Sequence, residues 1–499
     1  MIDSSKVQHR ALGPPSYRTY ARPAASAAGV ASLTSTASPR SNKLTLTLAM
    51  LYVFIIISRV LDLSPMWWMR IPLILLVALV LLTLARGSLR LAFSSNITRY
   101  FAAFTVWIVV CFPFSYWRGA SVDTVRISLE AFALFVIIVQ VIRSEADWRR
   151  MAGAYAYAAL VAGIYGFFFG RYVGDRLSLI GGTLADPNEL ALILLVGLPF
   201  WWLKANLSTA FRKPLFWLCS IPVFVTFAQT GSRAGLLAFL AIVLTTFFLA
   251  KAPQKVLITI VTCVGFVAAG AFLPGYLKAR YFTLFAPPEQ VDAATQASLG
   301  SDIASSEGRK QLLIQSIHMT LHHPLFGVGP GVFSYAAWDE RHATQGAGGL
   351  VLVTHNTYTQ ISSETGLPGF IFFVGALYLA LKYTLRDYRA AKQKRLPVAQ
   401  LPRYLLLSFS GLAVGIFFLS LGYSQMIAIF LALAASLHNV LTKSLSEAEG
   451  DSSSPDTSAK PSFAPAISTP VRKGPSRSAK DLIPSRRPSF LGSRGRFRS

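Results

Sequence analysis

Long apolar runs alternate with short polar joints through most of this chain, and the alternation breaks once. A run of about 18 or more mostly apolar residues can cross a bilayer as a helix, because about 20 residues at ~1.5 Å rise span the hydrocarbon core. About twelve such segments are predicted, at 44–62, 71–86, 99–117, 121–142, 151–170, 188–203, 214–230, 234–250, 255–273, 366–384, 402–420 and 423–441. The sixth to eighth are short for a full crossing and are expected to be tilted or broken. The break in the alternation is a polar insert at 274–365, between the ninth and tenth spans. The predicted fold class is all-α, a polytopic membrane helix bundle with one large helical loop outside the bilayer.

Inside the insert, 278–307 carries no apolar period and is expected to be a loop. Helical spacing then sets in over 309–323, with Leu312, Leu313, Ser316, Ile317 and Thr320 on one side and Pro324 ending the run. Gly327, Gly329, Pro330 and Gly331 predict a tight turn. Another helix is expected to start near Thr354 or His355 and to lead into the tenth span. The membrane domain is thus read as 44–442, flanked by Ser/Pro-rich basic tails at 1–43 and 443–499 that cannot bury enough apolar surface to fold alone. No short apolar core with a cleavage site follows the first tail, so the first span is expected to serve as its own uncleaved signal.

Composition sharpens the membrane reading. The chain is 53% hydrophobic and 14% charged, against about 25% charged in ordinary soluble domains. Its formal charge of +25 sits largely in the tails and in the joints on one side. Lys and Arg in short loops are retained in the cytoplasm. A cytoplasmic N-terminus then puts Arg86, Arg143, Arg149, Arg150, Lys204, Arg212, Lys213, Lys251, Lys255 and the run from Lys382 to Arg403 inside. The insert, and the joints holding Asp186 and Arg233, fall outside. The charge does not imply nucleic acid, since no basic face interleaved with aromatics and no known module is present. The basic C-terminal tail, with Arg486, Arg487, Arg494, Arg496 and Arg498, is either a solvated extension or a contact for anionic lipid. Cys111, Cys219 and Cys263 lie in apolar spans without Cys/His ligand spacing, so neither a disulfide framework nor a metal site is expected.

Four local patterns on the outer side carry candidate chemistry. In Gly181–Ala191, Asp186 or Asn188 can cap a membrane helix with Pro187 in its first turn, or can touch a substrate. In Thr230–Gly235, Arg233 stands at the membrane boundary, where an arginine is costly unless it snorkels or is paired. Its planar fork of donors suits phosphate oxygens, and small neighbours leave room for a bulky ligand. Third comes Arg309, placed by this reading in the first turn of its helix, where the dipole disfavours a cation and a partner elsewhere is implied. His318, His322 and His323 on the same helix are read as interfacial, since 323 points away from the other two and no carboxylate is suitably placed. The fourth pattern is His355-Asn356; a histidine titrating near neutrality can take a proton from a hydroxyl nucleophile. Arg126 and Glu130, one turn apart inside a span, are expected to pair and would equally suit a transporter.

In this order and at these separations, the four patterns resemble the O-antigen ligase and polymerase superfamily of bacterial envelope proteins. The matching residues are Asp186–Ala191, Ser232–Gly235, Arg309–Phe333 and His355–Gly369 with Gln360 and Glu364. Ala234 stands where glycine is common in the family, and the tails are longer than usual. The resemblance implies a metal-independent glycosyltransferase without cofactors in the inner membrane, its active site facing the periplasm. Its donor would be a glycan on undecaprenyl diphosphate, and its acceptor lipid A-core or another glycan. By the same resemblance His355 is the base, and Arg233 and Arg309 hold the diphosphate. Asp186, Asn188 and Asn356 are expected to line the substrate site. Other polysaccharide assembly proteins are possible partners, and a lipid-linked-oligosaccharide transporter is the alternative from another class.

Overall fold

Apolar length and helix-terminating residues together account for the architecture. The computed structural model describes residues 43–62, 69–85, 89–173, 175–179, 182–282, 293–345 and 352–453. Both expected tails, other than residue 43 and residues 443–453, lie outside these. Helices come in the order α1 (Lys43–Ser58), α2 (Ile71–Leu84), α3 (Asn96–Cys111), α4 (Arg118–Val141) and α5 (Glu145–Phe169). Then follow α6 (Pro187–Leu207), α7 (Lys213–Leu218), α8 (Ser220–Gln229), α9 (Arg233–Leu249) and α10 (Ala252–Phe272). The insert supplies α11 (Gly275–Phe282), α12 (Ala293–His322) and α13 (Phe333–Gln345). The chain returns through α14 (Thr357–Gln393), α15 (Gln400–Gly415) and α16 (Gln425–Ser453). Among the described residues the strands are a single antiparallel hairpin, β1 (Arg171–Val173) and β2 (Arg176–Ser178), with Tyr172 opposite Leu177.

This is a polytopic membrane protein. Seven described stretches are long and apolar enough to cross a bilayer: Asn96–Phe114, Glu145–Phe169, Pro187–Leu207, Ala252–Phe272, Thr357–Gln393, Pro397–Phe418 and Gln425–Ser444. Lys43–Ser58, Ile71–Leu84 and Arg233–Leu249 are apolar but shorter. Every segment expected to cross is helical, with two qualifications. The 214–230 segment breaks at Cys219 into α7 and α8. The 121–142 segment is the charged helix α4, whose Arg126 pairs with Glu130 at 3.0 Å as anticipated and also faces Asp123 at 3.5 Å.

Two helices form the centre. Leu190–Trp201 of α6 and Met426–Leu437 of α16 are buried on every face, as expected of a helix that is apolar all round and surrounded by protein. Helix α6 packs between α5 and α15, α15 also packs on α9, and α14 packs on α3. Trp148 of α5 is fully buried and donates its indole N–H to the Leu433 carbonyl of α16 at 2.9 Å, so its polar end is satisfied. Helix α10 is the opposite case, since none of its span is buried and it packs only along α9 among the stronger helix contacts. The contacts divide the chain into one unit ending at Glu447 and another from Ala448 onward, of which residues 448–453 are helical.

Three expectations need correction. The segment 278–307 is not a loop throughout, because α12 already starts at Ala293. Its Ala, Gln, Leu and Glu content supports a helix without an apolar stripe. Arg309 therefore sits well inside α12 rather than in its first turn, and the dipole argument does not apply to it. Past the insert, α16 runs on to Ser453, beyond the expected end at 442.

Candidate active site

The site begins at a helix cap. Asp186 has extended backbone and its Oδ1 accepts from the Asn188 amide at 2.7 Å, with Pro187 in the first turn of α6. The same oxygen accepts from Asn188 Nδ2 at 3.0 Å. Asn188 Oδ1 in turn accepts from Arg176 Nη2 at 2.7 Å and from the Ser232 hydroxyl at 2.8 Å. Ser232 also caps α9 by accepting from the Gly235 amide at 3.0 Å. A buried asparagine therefore joins the start of α6 to the start of α9. Asp186 remains half-buried beside it, and Arg233 follows as the first residue of α9, also half-buried.

Two further arginines hold the turn before Arg233. Arg176 Nε donates to the Thr230 carbonyl at 3.0 Å, and Arg280 Nε donates to the Gly231 carbonyl at 2.8 Å. Tyr281 donates its hydroxyl to Ala228 at 3.1 Å. Cations on the last carbonyls of α8 satisfy groups that a helix end leaves open and suit the negative end of its dipole. The sequence patterns did not single out Arg176 or Arg280, and neither has a local signal. Each reaches the turn only because the hairpin and α11 fold back onto it.

His355 lies in the short connection before α14, with its backbone in the left-handed region at φ 52°. Its amide donates to Ser420 Oγ at 2.9 Å, and Thr354 Oγ1 lies 2.9 Å from the same oxygen. Asn356 is the N-cap of α14, accepting from Tyr358 and Thr359 amides at 2.9 and 3.1 Å. Burial pushes the His355 imidazole below its usual range, the Arg309 charge pushes it further, and Asp186 partly opposes both. Arg309 and Asp186, from two other patterns, thus both act electrostatically on His355. Arg233 is linked to Asp186 through Ser232 and Asn188.

The glycine turn after α12 packs against α14 at Ser363–Leu367. Val328 and Gly329 amides donate to the Ser363 and Glu364 carbonyls at 2.8 and 3.0 Å, and Leu367 donates to Pro324 at 2.8 Å. The Glu364 carboxylate is buried and accepts from the Gly331 amide at 2.9 Å and the Tyr423 hydroxyl at 2.7 Å. Helix α14 kinks at Gly366, whose φ of 69° and ψ of −175° leave helical geometry. A side chain there would run into the Leu325 carbonyl. The kink sets off a half-helix, Thr357–Thr365, with His355 and Asn356 at its head.

The histidines of α12 have a carboxylate partner that the sequence reading did not expect. His318 and His322 Nε2 atoms lie 2.9 Å apart, and Glu340 of α13 stands 3.6 Å from His318 Nδ1. The contact is on the surface, with both side chains over two-fifths exposed, where polar pairs contribute little. Among the described residues no group of three His, Cys, Asp or Glu is arranged to hold a metal ion.

Residues 216–374 match the family model described as O-antigen ligase, so the resemblance read from the sequence is found over this stretch. The match includes Arg233, Arg309, His355 and Glu364; Asp186, Asn188, Ser420 and Tyr423 lie beyond it. No curated protein matches the chain.

Proposed function

We propose that this protein is a membrane glycosyltransferase of surface polysaccharide synthesis, moving a glycan from undecaprenyl diphosphate to an acceptor hydroxyl at the periplasmic face. The observation that carries this reading is the grouping of His355 with Arg309 and Asp186, beside the Arg233-headed start of α9. A half-buried imidazole held below its usual pKa is neutral at physiological pH and able to accept a proton.

In this mechanism His355 takes the acceptor hydroxyl proton as that oxygen attacks the anomeric carbon. The bond from that carbon to the diphosphate oxygen breaks, and undecaprenyl diphosphate leaves. Arg233 and Arg309 bind the diphosphate and neutralise the charge that grows on it, which fixed guanidinium groups do well in a partly dewatered site. The N-terminus of α9 adds its positive dipole end on the same side as Arg233. Asp186 stabilises the imidazolium while the proton is held. Asn188 and Asn356 keep the two helix starts in place around the substrate. Acceptor identity separates a ligase, which uses lipid A-core, from a polymerase, which uses another repeat unit; the residues named serve both.

A transporter is the competing class, supported by the Arg126–Glu130 pair on α4 at 3.0 Å. In reconstituted membranes with donor already on the outer side, an enzyme makes product and a transporter does not. His355→Ala should lose transfer by about 10²–10⁴-fold at unchanged abundance and donor binding. Arg233→Ala and Arg309→Ala should weaken donor binding as well, with lysine rescuing only partly because it lacks the fork. Normal transfer by His355→Ala removes the base from the mechanism.

A further inference from the structure

We infer that Ser420, in the connection between α15 and α16, is the positioning residue that holds His355 in its working geometry. The inference rests on the reading of His355 as the base, and it concerns a segment beyond the part of the chain that matches the family model.

Three observations converge on Ser420. His355 occupies left-handed backbone at φ 52°, a conformation that is unfavourable for a non-glycine residue and persists only where its surroundings over-determine it. The His355 amide has its partner in Ser420 Oγ, at 2.9 Å. Ser420 is itself held in place, since Thr354 Oγ1 stands 2.9 Å from the same atom and also donates to the Asn356 carbonyl at 3.1 Å.

The rest of the connection runs along the same half-helix, bond by bond. Thr357 Oγ1 donates to the Leu419 carbonyl at 2.6 Å and accepts from the Leu421 amide at 2.9 Å. Gln360 Oε1 accepts from the Gly422 amide at 3.1 Å, and Glu364 accepts from Tyr423 at 2.7 Å. Residues 419–423 thus lie as a polar strap from the head of the half-helix to its kink. Ser420 is the member of that strap that reaches the histidine. Its hydroxyl is engaged by protein groups and acts on the reaction through the orientation of His355. The strap also gives the chain outside the matched family segment a defined part in the site.

The test uses the full-length protein in membranes, with transfer, donor binding and abundance measured together. Ser420→Ala removes one hydrogen bond at a strained residue and should lower kcat about tenfold, the effect of roughly 1.4 kcal/mol, with KM for the donor within about twofold. Ser420→Thr keeps the hydroxyl and should restore most of the rate. Combined with His355→Ala, Ser420→Ala should cause no further fall, because nothing is left to position. Wild-type kcat in Ser420→Ala, with His355→Ala inactive, overturns the positioning role alone. Equal losses of kcat, donor binding and abundance, unrescued by threonine, make Ser420 merely structural and overturn it too. Wild-type transfer by His355→Ala overturns the base reading and this inference with it.

Discussion

Individual charges around His355 decide how the site responds to pH. An ordinary histidine titrates near ~6.5, and His355 lies below its ordinary value through burial and the Arg309 charge. A base works in its neutral form, so transfer should fall on the acid side with a midpoint below the usual histidine range, and stay flat through neutrality. The sign of two substitutions follows. Arg309→Gln removes a cation that disfavours imidazolium, so the midpoint should move up. Asp186→Asn removes an anion that favours imidazolium, so it should move down. The rate–pH profile of each variant at saturating donor checks this, and movement of both in one direction would mean that another group titrates. His355 and Arg309 were legible as chemistry from the sequence. Their mutual influence was not, since nothing local connects two residues on different elements.

At the scale of elements, the kinked helix α14 does the most to build the site. Its first part is buried among α3, α12 and the 419–423 strap, while the remainder continues as a membrane helix. Gly366 makes that division possible, because φ 69° with ψ near 180° is a region other residues avoid. Gly366→Ala should cost at least about 2 kcal/mol from backbone strain and collision with Leu325, read as a lower melting temperature in detergent. An unchanged melting temperature would show that the half-helix can rotate away without harm. Glu364 completes the joint, accepting from the glycine turn and from Tyr423, so one carboxylate ties the insert to the last pair of helices. By sequence, one helix led from near His355 into the tenth span; the kink at Gly366, and its packing against the Pro324–Gly331 turn, emerged from the fold.

Over the whole molecule, the one-sided distribution of Lys and Arg predicts the orientation of the bundle. A reporter fused after residue 300 should be active in the periplasm, and one fused after residue 392 active in the cytoplasm. The reverse result at either point would move the site to the wrong side for a lipid-linked donor presented outside. Burial varies widely among the membrane segments, from none for α10 to 78% for α6 and α16. Hydropathy does not order them this way, since α10 has the highest value of the seven, 2.1, and yet is the least buried. Apolar side chains are as favourable against lipid as against protein, so composition tells a membrane helix from a soluble one and not an inner one from an outer one.

The same physics divides what each source of information could supply. Sequence alone determined the membrane class, the approximate positions of the apolar helices and a cap at Asp186 or Asn188, because these depend on residues within a turn or two of one another. It also determined the order of the four patterns, which carries the family resemblance that implies the kind of donor and base to look for. Only the tertiary structure placed Arg309 inside a long helix, brought Glu340 to His318, put Arg176 and Arg280 on the turn before Arg233, and laid Ser420 against His355. Each of those pairs joins elements far apart along the chain, and a hydrogen bond between such partners leaves no period, cap or spacing in the sequence to announce it.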